Sequence, residues 1–212
     1  MRLRICVPAL GLVLISAGPV AAQAWDTPSF LPPAAENSIG LYGIDPDPGN
    51  FGLMAIWRQT GRVNLGFRVG VFDVHDDVSG VIGAEASQLL FRATGRLPVD
   101  ANWTLGVGGS IGDDSFVRVP IGITAGRRFT AGSFSFLPYV HPRIGFNWFT
   151  DDDDRGDDDV SSFEVGLTTD IGADLTFGRN FMVRFGAALG DFDSIGIGLA
   201  YRFRTPTAVS AK

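Results

Sequence analysis

The most conspicuous string of chemistry-bearing residues is TDDDDRGDDDV, at residues 150–160. Carboxylate oxygens in a loosely arranged loop are ligands that suit calcium. The spacing departs from a calcium-binding loop, because Arg155 stands where the third ligand belongs and no glutamate follows at the required place. We interpret the string as a solvated acidic connection, with weak divalent-cation binding as the alternative. Calcium is then the one cofactor to consider, and its candidate ligands are Asp151, Asp152, Asp153, Asp154, Asp157, Asp158 and Asp159.

A second set of residues could move protons. His75 is followed by Asp76 and Asp77, while Asp113 and Asp114 lie in another short connection. A histidine held beside carboxylates can activate a water molecule for hydrolysis. An aspartate-rich surface also brings carboxylates near a histidine by chance, so the pattern is a weak indication of catalysis.

The other histidine of the chain, His141, lies in the string PYVHPR. A structural histidine explains this string better than a catalytic one. The sequence has no phosphate-binding loop, no dinucleotide fingerprint and no zinc-site spacing. We therefore expect a protein that is not an enzyme, with a hydrolase as the competing class.

The elements that would position these residues begin after a targeting segment. Arg2 and Arg4 precede an apolar run that ends in Ala-Gln-Ala, which is typical of a secretory signal peptide at residues 1–24. Cys6, the one cysteine of the sequence, lies within it, so the mature chain would hold no disulfide and no thiolate metal site. Residues 25–37 are rich in proline and aperiodic, and we expect a flexible lead-in there.

Composition narrows the class of protein. The 212 residues include 17 Lys+Arg and 23 Asp+Glu, and the net charge of −6 becomes more negative without Arg2 and Arg4. This acidity disfavours a nucleic-acid partner. After the signal peptide, no apolar run approaches the roughly 18 residues that a membrane helix needs. The length fits a single domain, and if the mature protein meets a membrane, it must cross it as strands.

Alternation of apolar residues with small or charged ones dominates the rest of the chain. Between Phe163 and Phe177, one parity is almost entirely apolar, whereas the other consists of Glu, Gly, Thr and Asp. Such period-two alternation predicts β-strands. The predicted strands are Ser38–Ile44, Phe51–Gln59, Val63–Val74, Val81–Ala93, Asn102–Ile111, Phe116–Phe129, Ser133–Thr150, Ser161–Phe177, Phe181–Gly190 and Ser194–Phe203.

The charged face of these strands requires an explanation, because a soluble sheet would not bury it. If lipid is the solvent, the apolar face points outward and the charged face lines a lumen. Lipid also forbids open sheet edges, so the sheet must close into a barrel. We expect the charges to plug or narrow the lumen, with a hydrated small-solute channel as the alternative. The predicted lumen-facing charges are Arg68, Glu85, Arg118, Arg143, Glu164, Asp170, Asp174, Arg184 and Arg202.

The connections between the strands sort by charge. Every other connection, starting with the one after Ser38–Ile44, is rich in aspartate, whereas the intervening connections hold most of the arginines. An up-and-down meander places these two sets at opposite ends of a barrel. The strands were assigned from apolar alternation, without reference to the charges of their connections. The separation of charge therefore supports that assignment independently.

With its signal peptide, ten alternating segments and final string SIGIGLAYRF, the chain resembles the small outer-membrane β-barrel proteins of Gram-negative bacteria over residues 38–203. The resemblance implies an all-β fold, a closed antiparallel up-and-down transmembrane β-barrel of ten strands, with eight as the alternative. It also implies a location in the bacterial outer membrane, with periplasmic basic turns and extracellular acidic connections. The implied partners are outer-membrane lipid, lipopolysaccharide and the barrel-assembly machinery, although a tail at residues 204–212 follows the string that resembles the insertion signal.

Two features depart from the resemblance. Pro120, Pro138 and Pro142 cannot donate to a ladder, and we expect a bulge or a break near Leu137–Pro142. The lipid A deacylases of this general shape use His, Ser and Glu, but Arg143 stands where their motif would have Ser. The predicted function is a structural or surface-interaction role for a monomer. A small-solute channel, or less favourably a barrel-embedded protease or deacylase, is the alternative.

Overall fold

The chain forms a closed antiparallel β-barrel. The computed structural model describes residues 27–47, 51–74, 77–111, 114–151, 160–190 and 193–203. Consecutive strands pair around the sheet, which closes because the first strand pairs with the last and the sixth with the eighth. In chain order the strands are β1 (Ser38–Asp47), β2 (Phe51–Gln59), β3 (Asn64–Val74), β4 (Asp77–Phe91), β5 (Asp100–Ile111), β6 (Asp114–Gly126), β7 (Phe129–Ala131), β8 (Phe134–Asp151), β9 (Val160–Phe177), β10 (Phe181–Gly190) and β11 (Asp193–Arg202).

The barrel has ten strands, although the chain order contains eleven segments. The short β7 pairs with the beginning of β8, and β6 pairs with the remainder of β8. β6 and β7 are therefore successive parts of one wall strand, which is interrupted at Arg127 and Arg128. The prediction of a closed antiparallel barrel with ten strands is confirmed, and the eight-stranded alternative is wrong.

The two faces of each strand differ in the way that the alternation predicts. On β9, Val165 and Leu167 point outward with 58% and 62% of their surfaces exposed, whereas Gly166 and Thr168 between them are buried. The same division continues along β11, where Ile197 and Leu199 are exposed and Gly198 and Ala200 are buried. The apolar side chains thus cover the outside of the barrel, where a lipid solvent would favour them.

Aromatic pairs lie on the outer face near both ends of the barrel. The rings of Trp148 and Phe163 lie 5.2 Å apart where β8 ends and β9 begins. At the other end, Phe134 and Phe177 lie 5.5 Å apart, and Phe181 and Tyr201 lie 5.6 Å apart. Two aromatic bands that flank an apolar belt are typical of a barrel that spans a membrane.

The prolines of β8 do not break the strand. Its register with β9 continues unchanged through Pro138 and Pro142, so no bulge or break occurs on that side. On the other side, the ladder to β6 skips Pro142 and His141, and the partner strand is interrupted between β6 and β7 opposite Leu137 and Pro138. The predicted break near Leu137–Pro142 is thus found on this side alone, and the register does not change across it. A proline removes a single donor, and the residues around it keep the strand in the sheet. A register shift occurs instead in β4, between Leu89 and Phe91.

The two ends of the barrel have opposite charge in the sequence. We call one the acidic end, because its connections are the aspartate-rich ones; residues 48–50, 75–76, 112–113, 152–159 and 191–192 of these connections lie outside the described residues. We call the other the basic end, and residue 37 enters β1 there while β11 finishes there.

Within the described ranges, no helix has the length and hydropathy to cross a membrane.

Candidate functional site: the barrel interior

The segment before β1 lies inside the barrel. Thr27, Ser29, Phe30 and Leu31 are all buried, and Phe30 has no exposed surface. We call residues 27–36 the lumen plug. We predicted a flexible lead-in here, and that expectation is wrong because the segment has many polar and apolar partners on the lumen wall. Its proline-rich composition gave no periodicity from which those partners could be predicted.

Three arginines of the wall hold the main chain of the lumen plug, and we call Arg58, Arg68 and Arg143 the arginine cradle. Arg58 donates from Nη2 to the carbonyl oxygen of Ser29 at 2.8 Å and from Nη1 to that of Phe30. Arg68 donates to the same Ser29 oxygen at 3.0 Å. Arg143 donates from Nη2 to the carbonyl oxygen of Thr27 at 3.0 Å. The wall thus binds backbone atoms of the plug at three successive points.

Carboxylates of the wall fix the cradle in place. Glu85 lies between two cradle arginines, accepting from Arg58 Nε at 2.8 Å and from Arg68 Nη2. Asp170 accepts from Arg143 at 3.0 Å and also from the backbone amide of Ser29 at 3.1 Å. Buried charges require such pairing, because an isolated ion in a low-dielectric interior is strongly destabilised.

His141 joins this network at both ring nitrogens. Its Nδ1 lies 2.7 Å from Ser29 Oγ and 3.1 Å from Asp170 Oδ2, and its Nε2 lies 2.8 Å from Thr104 Oγ1. A hydroxyl, an imidazole and a carboxylate in series could in principle transfer a proton. The adjoining cavity, lined in part by Ser29, Thr104 and His141, has a volume of about 20 Å³. That is room for about one water molecule and not for a substrate.

Glycines of the wall form a seat for the plug. A Cβ atom on Gly196 would lie 2.8 Å from Phe30 Cζ, and one on Gly186 would lie 2.8 Å from Pro28 Cβ. The Phe30 ring packs at 4.5 Å from the ring of Tyr42. Small residues on the charged face of the strands therefore leave the space that the plug occupies.

Phe30 adopts a backbone conformation that favours glycine. Its φ of 50° lies in the left-handed region, which a bulky residue rarely adopts. This conformation lets the carbonyl oxygens of Ser29 and Phe30 both reach Arg58. Strain of this kind persists only where the surroundings fix the residue, which indicates that the plug has a specific bound geometry.

A second buried ion pair lies beside the seat. Arg184 donates from Nε to Asp174 at 3.0 Å and from Nη1 to the Tyr42 hydroxyl at 3.0 Å. Because Tyr42 also contacts Phe30, the pair is coupled to the position of the plug. Arg118, nearer the acidic end, donates to Thr168 Oγ1 at 3.3 Å.

Apolar side chains fill the lumen toward the acidic end. Phe116 and Phe149 face each other at 5.9 Å, close to the acidic ends of β6 and β8. They belong to a buried cluster that runs inward to Phe30. The acidic-end cluster, as we call its outer members, consists of Ile44, Met54, Phe72, Val81, Phe116 and Phe149.

At the basic end, polar contacts anchor the stem of the plug, by which we mean Glu36 and the adjoining Asn37. Glu36 pairs with Arg128 at 2.8 Å and with Arg202 at 2.9 Å. The side-chain oxygen of Asn37 accepts from the backbone amide of Thr60 at 2.6 Å. An open cavity of about 670 Å³ lies at this mouth, lined in part by Glu36, Asn37 and Arg202.

The structure brings most of the predicted lumen charges together. Arg68, Glu85, Arg118, Arg143, Asp170, Asp174 and Arg184 are buried inside the barrel, whereas Glu164 and Arg202 are half-buried. Arg58 was not among the predicted lumen-facing charges, but it is buried in β2 against Glu85. The available signal was its parity with Met54 and Ile56, which also point inward.

The acidic strings remain predictions. The described residues contain no group of three or more His, Cys, Asp or Glu side chains that could hold a metal. Residues 152–159, His75 and Asp76, and Asp113 lie outside the described residues, and the structure describes no side chain for Asp77, Asp114 or Asp151.

No family model matches this chain, and no curated protein matches it. Among solved structures, it is similar to the N-terminal β-barrel domain of Pseudomonas aeruginosa OprF, at 13% identity and a TM-score of 0.42 over 79% of this chain and 98% of that chain. It is similar to the KdgM porin at 11% identity and a TM-score of 0.40, over 79% and 99% of the two chains. The attachment invasion locus protein Ail of Yersinia pestis has 14% identity and a TM-score of 0.33, over 79% and 99%. The chain resembles outer-membrane β-barrel proteins in fold, and the likeness concerns the fold alone.

Proposed function

We propose that this protein is an integral outer-membrane β-barrel with a structural or surface-interaction role, whose lumen is closed by its own lumen plug. The observation that carries the proposal is the seating of Ser29 and Phe30 on the arginine cradle. Because several wall strands bind this segment, it fills the lumen of the barrel. A barrel with a filled lumen suits a scaffold or a surface protein better than a pore.

The packing of the interior supports a closed lumen. The cavities beside the plug have volumes of about 10 and 20 Å³, so each admits about one water molecule. The acidic-end cluster adds an apolar barrier in the other half of the lumen. To cross the lumen, a hydrated ion would have to displace both the lumen plug and the acidic-end cluster.

The outer face supports placement in a membrane. Exposed apolar side chains and two aromatic bands give the barrel a belt that lipid would solvate. The proposed partners are therefore outer-membrane lipid and lipopolysaccharide, with the final strand, β11, presented to the barrel-assembly machinery. The acidic connections would then face the outside of the cell.

Planar-bilayer recording of the refolded full chain tests the closed lumen. We expect no steady single-channel conductance from the unmodified protein, because the plug and the acidic-end cluster both block the path. The matched variant is Phe30→Ala, which loosens the plug but leaves the cluster intact, and it should also remain silent. Steady, reproducible conductance of the unmodified chain would show that the protein is a small-solute channel instead.

An enzymatic assay on the same material tests the competing class. Peptide and lipid A hydrolysis should not exceed the level of a His141→Ala control, since Ser29 and Thr104 occupy both ring nitrogens of His141. Hydrolysis that disappears in the His141→Ala variant would contradict the proposal.

A further inference from the structure

Exposed arginines gather at the basic end of the barrel. Four stretches of chain join the wall strands there, and the structure describes every residue of these stretches. Each stretch holds at least one exposed arginine, and none of them contains an aspartate or a glutamate. The stretches are residues 60–63, 92–99, 127–133 and 178–180, and their exposed arginines, which we call the basic-end arginines, are Arg62, Arg92, Arg96, Arg127 and Arg179.

The carboxylates that lie beside these stretches have other partners. Asp100 accepts from a backbone amide at 2.9 Å. Glu36 pairs with Arg128 and Arg202. Residues 204–212 lie outside the described residues, and their sequence contains no aspartate or glutamate. The surface of the basic end is therefore rich in positive charge.

The basic-end arginines adjoin the aromatic band of the outer face. Arg179 lies in the turn between Phe177 and Phe181, whose side chains are both exposed on the outside of the barrel. The guanidinium carbon of Arg127 lies 5.7 Å from the centre of the exposed Phe129 ring. One or two residues of extended chain separate each arginine from an aromatic side chain, a distance of roughly 3–7 Å. Because aromatic bands lie at the headgroup level of a membrane, these arginines would lie at the depth of the lipid phosphates.

The chemistry of arginine fits a phosphate headgroup. A guanidinium group donates two parallel hydrogen bonds to phosphate oxygens, which a lysine ammonium does not do. Basic side chains at a membrane surface also attract lipids that carry a net negative charge. A zwitterionic headgroup carries its own cation beside the phosphate, so an anionic phospholipid suits this surface better.

We propose that the basic-end arginines form a binding surface for the headgroups of anionic phospholipids in the adjoining membrane leaflet. The partner is a lipid and not a free phosphate ion, because the aromatic band holds the arginines beside headgroups that are already concentrated in the membrane. The connections at the acidic end are rich in aspartate and hold Arg155 as their single arginine, so they would repel the same headgroups. The inference deepens the proposed function and rests on it in requiring that the outer face lie in lipid.

Tryptophan quenching by brominated lipids tests the surface on the full chain in vesicles. Trp57 lies near the basic end of β2, where its ring is 5.7 Å from that of Phe67, and Trp148 is exposed near the acidic end of β8. Two single-tryptophan chains each keep one of these reporters, with the other tryptophans changed to phenylalanine. Brominated phosphatidylglycerol, which is anionic, or brominated phosphatidylcholine, which is zwitterionic, is added at equal mole fraction to phosphatidylcholine vesicles.

At Trp57 we expect phosphatidylglycerol to associate about fivefold more strongly than phosphatidylcholine, which is the preference that one basic residue near an anionic lipid typically provides. At Trp148 we expect no preference for the anionic lipid. Because salt screens exposed charges, the preference at Trp57 should shrink in high salt. This comparison uses two positions of the same barrel and needs no change to any arginine.

Arginine variants decide which residues are responsible. Changing all five basic-end arginines to glutamine should remove the preference at Trp57, whereas changing them to lysine should keep most of it, because the charge remains. Arg62→Gln and Arg155→Gln form a matched pair, since each removes one positive charge, from the β2–β3 and the β8–β9 connection respectively. Only Arg62→Gln should lower the preference at Trp57.

The outcomes separate this inference from the proposed function. Equal association of the two lipids at Trp57, or a preference that survives the five glutamine changes, would overturn the headgroup surface but leave the barrel in lipid. A preference at Trp148 as large as that at Trp57 would also overturn it, because the basic end would then have no special role. If brominated phosphatidylcholine quenched neither tryptophan, the outer face would not lie in lipid, and the proposed function would fail together with the inference.

Discussion

The outer face and the lumen of this barrel are built from alternate residues of the same strands, yet they are held by different forces. Outside, side chains such as Val165 and Leu167 have no polar atoms that need hydrogen-bond partners, so an apolar solvent is sufficient for them. Inside, Asp170 and its neighbours must each find hydrogen-bond partners, because burial removes them from water. The outer face therefore tolerates many apolar sequences, whereas the lumen depends on specific pairs.

The lumen plug shows how the interior satisfies that requirement. Its carbonyl groups accept from arginines, and its Ser29 amide donates to a carboxylate. The segment thus supplies hydrogen bonds that water would supply in an open pore. A barrel whose charged face is this well paired gains rigidity from the same residues that could otherwise line a channel.

The largest effect should come from breaking a lumen pair. Asp170→Asn removes the negative charge beside Arg143 and weakens the acceptor for the Ser29 amide. Because removal of one partner of a buried pair typically costs about 3–5 kcal/mol, we expect a loss of that size. Urea unfolding in lipid vesicles, followed by tryptophan fluorescence, measures it. The control Asp45→Asn lies on the exposed side of β1 and should change little; equal losses would mean that burial does not distinguish the two carboxylates.

A charged residue placed on the outer face should destabilise the protein somewhat less than the loss of a lumen pair. Val165→Arg puts a charge in the middle of the apolar belt, and we expect about 2–4 kcal/mol of lost stability in lipid. Its depth control is Thr130→Arg, in the exposed β7 at the basic end, where the same charge should be nearly neutral. If the two arginines were equally tolerated in the vesicle assay, the outer face would not be solvated by lipid.

Filling the seat of the plug should have an intermediate effect confined to the lumen. A side chain at Gly196 would enter the space of Phe30, since even a Cβ atom would lie 2.8 Å from its ring. We expect Gly196→Val to destabilise the protein by about 1–3 kcal/mol and to expose the plug to proteinase K. Gly95→Ala is the matched control, because no atom lies within 4 Å of that Cβ position. A plug that stayed protected in Gly196→Val would show that the seat is not specific.

The smallest effect should come from the rim. Glu36→Gln loses ion pairs with Arg128 and Arg202, but these side chains are partly exposed. Such pairs usually contribute less than about 1 kcal/mol. Because salt screens exposed charges, the difference from the unmodified chain should shrink further in high salt. A loss as large as that of Asp170→Asn would mean that the stem, and not the cradle, holds the plug.

The sequence by itself determined the wall of this barrel. The period-two alternation of segments such as Ser161–Phe177 is a local signal, and it assigned the strands, their faces and the lumen position of Asp170 and Asp174 without any knowledge of contacts. The confinement of aspartates to alternate connections ordered the two ends. These properties follow from the fixed geometry of a strand, in which successive side chains point to opposite faces.

Only the tertiary structure decided what fills the lumen. Residues 27–36 have no periodicity, and their place depends on Arg58, Glu85 and Asp170, which are distant in the chain. The lack of a side chain at Gly186 and Gly196 is explained only by the tertiary structure, in which Phe30 packs against both positions. A segment that is ordered by pairing with distant groups leaves no repeating pattern in its own sequence. The prolines of β8 depend on the closed sheet in the same way, since the continuous ladder to β9 holds the strand where its pairing toward β6 and β7 is interrupted.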